Sequence, residues 1–163
     1  MSRLFSKANI GKLEVRNRIV MPPMCQYSSN DSGIVKDWHR QHYQCRAAGG
    51  TGLIIVEATA VHPAGRISDR DLGLWDDYHI KPLKELVTIC KAQGASVGIQ
   101  LAHAGRKSTV SHTPVYSSSP VRFNNDYPVP LEMSEKDILT VIKSFAEAAG
   151  RAAEAGFDLV EIH

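Results

Sequence analysis

"TGLIIVEATAV" (Thr51–Val61) is the stretch that decides the fold. From Leu53 to Val56 it is a continuous apolar run, without the alternation that a sheet solvated on one face requires. Such a strand is covered on both faces, as strands of parallel sheets are. On its N-terminal side, "RIVMPPM" (Arg18–Met24) holds a compact apolar run, Ile19-Val20-Met21, stopped by Pro22-Pro23. "WHRQHYQCRAAGG" (Trp38–Gly50) then reads as a helix that exits at Gly49-Gly50. On its C-terminal side, "YHIKPLKELVTICKAQG" (Tyr78–Gly94) sets Ile80, Leu83, Leu86, Val87 and Cys90 at helical spacing and stops at Gly94. "ASVGIQLAHAG" (Ala95–Gly105) is the next strand, followed by a long polar loop, Arg106–Glu132. Ser134, with Asp137 three residues on, opens another helix in capping-box fashion. Its apolar stripe is Ile138, Val141, Ile142, Phe145 and Ala149, and Gly156 closes it before a fourth strand, "FDLVEIH".

Four strands, each fed by a crossover helix, imply a parallel sheet covered on both faces. An open doubly wound sheet and a piece of a (β/α)8 barrel both satisfy that pattern. The glycine fingerprint of a nucleotide-binding sheet is missing after the first strand. Polar or special residues instead stand at each strand's C-terminal end: Pro23-Met24-Cys25, Glu57-Ala58-Thr59, Gln100 with His103, and His163. A barrel gathers its active site from those ends, so the expectation is a (β/α)8 TIM barrel, with this chain covering about four of its βα units. "LFSKANIGKLEVRNRIV" (Leu4–Val20) reads as a hairpin that closes the barrel's N-terminal mouth.

The 163 residues carry a net charge of +2 spread over interspersed ions, with no basic stripe. Nucleic acid and anionic membrane therefore gain no electrostatic support as partners. No apolar run approaches the ~20 residues of a membrane span, and "MSRLFSKANIGK" has no signal-peptide core. Three widely spaced cysteines, Cys25, Cys45 and Cys90, suit free thiols in a reducing cytoplasm.

Several side chains have both a chemical and an ordinary reading. Cys25 is either a small buried hydrophobe or a thiol on rigid backbone beside a cofactor. Gln100 interrupts an apolar strand, so its amide needs either a loop carbonyl or a ring that presents N–H and C=O groups. His39 and His42 lie three apart on a helix, a weak metal signal, and with Trp38 and Tyr43 they read as packing residues. "HAGRK" (His103–Lys107) reads as a solvated loop or an anion contact, and His163 alone carries no signal.

Taken together, "RIVMPPMCQYS", "DWHRQHY", "GLIIVEATAV", "GRISDRDLGLW", "GIQLAHAGRK" and "AGFDLVEIH" resemble the old yellow enzyme family, in its thermophilic-like and xenobiotic-reductase branch. The resemblance runs from Leu4 to His163. It implies a flavin-dependent (β/α)8 barrel that takes hydride from NADPH onto FMN and passes it to an activated alkene such as an enone. It makes residues 1–163 the N-terminal half of a flavin-binding barrel domain. Pro23, Met24 and Ala58 become contacts along the flavin, Cys25 a tuner of its potential, and Gln100 a partner of its pyrimidine edge. Tyr27 would reach the substrate, and His163 would be the first of two histidines that hold the substrate's carbonyl oxygen. The family's H-x-x-H-G-Y run breaks off at His163, which points to a piece of a longer reading frame. Such a chain would self-associate edge to edge or form a homo-oligomer, and would bind FMN weakly by itself. Two other classes compete: a non-catalytic half-barrel that assembles with a further chain, and a metal-dependent hydrolase using His39, His42, His103 and His163.

Overall fold

The computed structural model describes residues 2–163. The chain opens with an antiparallel hairpin, β1 (Ala8–Ile10) and β2 (Leu13–Val15), turning at Gly11 with φ of 58°. Then follow β3 (Val20–Met21), α1 (Asp37–Ala48), β4 (Leu53–Ala60) and the short β5 (Leu72–Gly73). The second half contains α2 (Ile80–Ala92), β6 (Ser96–Ala102), β7 (Tyr116–Ser117), β8 (Leu131–Glu132), α3 (Glu135–Ala155) and β9 (Leu159–Ile162). The strands β3, β4, β6 and β9 lie parallel in that spatial order, and β5 adds to the far end of β4. This is the expected strand–helix alternation, with each strand beside the next one in sequence.

The core forms where the sequence is most continuously apolar. Ile54, Val56, Val97, Ile99 and Leu101 of the central strands are fully buried. Leu83, Leu86, Val87 and Cys90, the predicted stripe of α2, pack against them. Each buried aliphatic side chain of this kind contributes roughly 1.5–3 kcal/mol. The start of α3 follows its sequence signal: Ser134 Oγ accepts from the Asp137 amide at 3.3 Å while Asp137 Oδ2 accepts from the Ser134 amide at 2.9 Å. Gly156 ends the helix in the left-handed region, φ 89°, where a β-carbon would be strained.

The hairpin leads into a polar brace at the N-terminal ends of the strands. Arg16 donates to three carbonyls, Gln93 at 2.6 Å, Ala47 at 2.8 Å and Thr51 at 2.9 Å. It thereby joins the last turn of α1, the exit of α2 and the approach to β4.

The structure departs from the sequence expectation at four places. Glu57 and Ala58 do not follow their strand but lie inside β4, at a register shift between Val56 and Thr59 against β6. Only the later part of the α3 stripe is covered: Phe145 and Ala149 pack half-buried against the core, beside the buried Ala148, Ala152 and Ala155, whereas Ile138 and Ile142 are exposed. The first turns of the helix instead border a separate cavity, where Asp137, Thr140 and Val141 face His62, His103 and Tyr116. Trp38 is 54% exposed rather than packed, because it sits on the outer face of α1. The long polar loop also contains a small parallel ladder, Tyr116↔Leu131 and Ser117↔Glu132.

Candidate active site

Loops and strand ends enclose a cavity of about 430 Å³ at the C-terminal side of the sheet. Six of the seven residues singled out from the sequence line it: Pro23, Cys25, Tyr27, Ala58, Gln100 and His163. Pro23, Cys25 and Tyr27 come from the segment after β3, Ala58 from the irregular part of β4, Gln100 from β6, and His163 from just past β9. Met24 is the exception; it does not line the cavity and is 47% exposed.

The polar groups of the cavity are set by their neighbours. Burial pushes the Cys25 thiol up, and the carboxylates of Asp71 and Glu57 push it further, so it is held as a thiol at neutral pH. The Tyr27 phenol is raised by burial and by Cys25 and Asp71. Tyr27 is also the one non-glycine residue at positive φ, 48°, among the described residues. A left-handed tyrosine costs roughly 1–2 kcal/mol and persists only where its surroundings hold it. Gln100 donates through Nε2 to Glu161 Oε1 at 3.0 Å, so a neighbouring strand, not a loop, meets the buried amide. His163 is anchored through its backbone amide to Leu101 O at 2.9 Å, while its side chain is largely exposed. His103 accepts from the Gly105 amide at 3.2 Å, and burial lowers its proton affinity.

The histidines do not assemble as a metal set. Among the described residues no three His, Cys, Asp or Glu side chains converge in a way that could hold a metal ion. His39 has a single carboxylate neighbour: its Nε2 lies 3.5 Å from Glu57 Oε1, and both side chains are buried. His42 instead stacks beside Trp38 and meets Tyr43 edge-on.

Glu57 is the strand-end residue to which the sequence reading assigned no role. Its carboxylate accepts from the Gln26 amide at 2.7 Å and from the Tyr43 hydroxyl at 3.2 Å. Burial raises it to about 7, against the opposing effect of those donors. A single carboxylate inside "LIIVEATA" was the available signal, since a buried charge is rarely kept without partners.

The sequence matches the NADH:flavin oxidoreductase / NADH oxidase family over residues 3–163. The chain belongs to this family. An NADPH dehydrogenase of Geobacillus thermodenitrificans (strain NG80-2) is 52% identical over 161 residues, covering 98% of this chain and 47% of that protein. An NADPH dehydrogenase of Bacillus velezensis is 48% identical over 162 residues, with 99% and 48% covered. The chain thus spans about half the length of the curated relatives it matches. Among solved structures, morphinone reductase superimposes with a TM-score of 0.88 at 27% identity, over 98% of this chain and 47% of that one. An old yellow enzyme from Pichia sp. AKU4542 gives a TM-score of 0.89 at 24% identity, covering 99% and 45%, a likeness of fold. The parallel α/β layout is accordingly that of about half of a (β/α)8 barrel of the old yellow enzyme type.

Proposed function

We propose that residues 1–163 form the N-terminal half of a flavin-binding barrel domain. The complete site, on this reading, is that of an FMN-dependent NAD(P)H oxidoreductase reducing the activated C=C bonds of enone-type substrates. The observation that carries this is the convergence of Pro23, Cys25, Tyr27, Ala58, Gln100 and His163 on one cavity at the C-terminal ends of the strands. Family membership supports FMN, and the relatives' name, NADPH dehydrogenase, supports NADPH as the reductant.

The residues present fit the ring portion of a flavin. Pro23, Ala58 and Ala102 make a small-residue apolar wall suited to a flat ring, and Gln100 adds an amide that can donate and accept. Lys107 is a cation on the same lining. When bound, FMN supplies the hydride chemistry. Gln100 would hold the ring's polar edge, and Cys25, kept as a neutral thiol by burial and by Asp71 and Glu57, sits in the wall that sets the ring's surroundings. His163 offers a ring N–H as donor to a substrate carbonyl oxygen, where enolate charge develops, and Tyr27 borders the same space.

The test is an FMN titration of the chain followed by flavin fluorescence, beside titrations of Cys25→Ala and Gln100→Ala. The reading expects weak, saturable quenching that both substitutions weaken. Saturable quenching indifferent to both substitutions, or none at all, overturns it. A second readout is NADPH oxidation with an enone, expected to be negligible for residues 1–163 by themselves.

A further inference from the structure

Behind the cavity wall lies a buried polar cluster that the roles above leave unused. Glu57, 1% exposed, stands at the register shift of β4, the kind of irregularity that re-aims a side chain. Its Oε2 accepts from the Gln26 amide at 2.7 Å, and the Tyr27 amide also acts on the carboxylate. Its Oε1 accepts from the Tyr43 hydroxyl at 3.2 Å, and that hydroxyl accepts from the Glu57 backbone amide at 3.0 Å. His39 Nδ1 accepts from the Lys36 amide at 3.0 Å, so its proton rests on Nε2, facing Glu57 Oε1 at 3.5 Å without a hydrogen-bond partner.

The segment being held is the one that needs holding. Gln26 and Tyr27 lie in backbone without ladder bonds, and Tyr27 is left-handed at φ 48°. A left-handed residue turns successive amides toward one point, a concavity that binds an anion. Here the anion is the protein's own carboxylate, and the two residues on either side of Gln26 are Cys25 and Tyr27, both in the cavity wall.

We propose that Glu57 is a positioning residue: from inside the core, its carboxylate sets the backbone that presents Cys25 and Tyr27 to the cavity. Helix α1 contributes to the same device through Tyr43 and His39, so its packing on β4 is linked to the shape of the site. The groups facing Cys25 are Glu57 behind it, Asp71 from the turn before β5, and the Tyr27 phenol beside it. Removing the Glu57 charge therefore makes the thiolate easier to form as well as loosening the segment. The assignment deepens the proposed function and rests on it for its catalytic meaning, but its geometry is independent of any flavin.

Site-resolved alkylation with iodoacetamide tests it in the flavin-free full chain, with the three cysteines read separately by peptide mass spectrometry from pH 6 to 10. In Glu57→Gln, Cys25 alkylation at pH 8 is expected to rise at least about threefold, equivalent to half a pH unit in its midpoint. Tyr43→Phe keeps the carboxylate and removes one donor, so it is expected to move Cys25 the same way by less. Exposed Cys45 should be unchanged in both variants. Buried Cys90 reports folding: if it becomes labelled in Glu57→Gln, that variant has unfolded and Tyr43→Phe decides. A Cys25 rate and midpoint equal to wild type in the folded variant overturns the proposal. An absent FMN response with a shifted Cys25 would sink the flavin reading and leave Glu57's role intact.

Discussion

Gln100 is the residue on which the proposed flavin contact rests most directly. Its Nε2 is committed to Glu161, which fixes the amide plane and leaves its carbonyl for a ligand. Replacing Gln100 by alanine removes both, and losing one or two hydrogen bonds in a partly dry site costs about 1–3 kcal/mol. FMN affinity measured by fluorescence titration should fall roughly tenfold or more; an unchanged Kd would place the amide outside the flavin contact. Glu57 and His39 make a second, opposed pair of expectations in pH. Glu57 is raised from 4.5 to about 7, so its contribution to stability is full below pH 4.5 and is lost as pH rises toward and through 7. His39 is lowered from 6.5 to about 4, so its contribution is present above 6.5 and lost as pH falls through 4. In Glu57→Gln the alkaline loss disappears. The urea stability at pH 8 minus that at pH 6 should become more positive than in wild type by about 1 kcal/mol. An unaltered difference would mean that Glu57 does not titrate in this window.

At the scale of elements, α3 gives the clearest cap. Ser134→Ala deletes the hydroxyl of the reciprocal cap and should destabilise the chain by about 1 kcal/mol in chemical unfolding. A loss below a few tenths would show that Asp137 holds the helix start without it. The alternation of strands and helices was readable because each element carries its own period: the apolar run of β4, the 3.6-residue stripe of α2, and the Ser134 and Gly156 boundaries of α3. Cys25 and Gln100 stood out because each breaks a local pattern, a thiol after two prolines and an amide within an apolar strand. Glu57 did not, because its meaning depends on Gln26 and Tyr43, which are 31 and 14 residues away. The β7–β8 ladder was unreadable for a related reason: two-residue strands in a polar loop have no period to detect. The exposure of Ile138 and Ile142 was equally hidden, since an apolar stripe tells which face seeks cover and not how far the cover extends.

Across the whole molecule, the described sheet has two outer strands, β3 and β9, each paired on one side only, with Val20, Val160 and Ile162 exposed between 39% and 66%. Unpaired apolar edges template association with further strands. A preparation of residues 1–163 should therefore elute ahead of the monomer position on size exclusion, and Val160→Lys with Ile162→Lys should raise the monomer fraction. A compact monomer of the unmodified chain at micromolar concentration would count against edge pairing. Arg16 has a different consequence, one of time rather than stability. Its three acceptor carbonyls belong to segments 31, 35 and 77 residues away, and they converge only when α1, α2 and β4 are already docked. The brace is therefore expected to form late on the folding path, after the transition state. Arg16→Ala should leave the refolding rate nearly unchanged and raise the unfolding rate severalfold, so that one guanidinium at the bottom of the sheet governs how long the folded chain lasts.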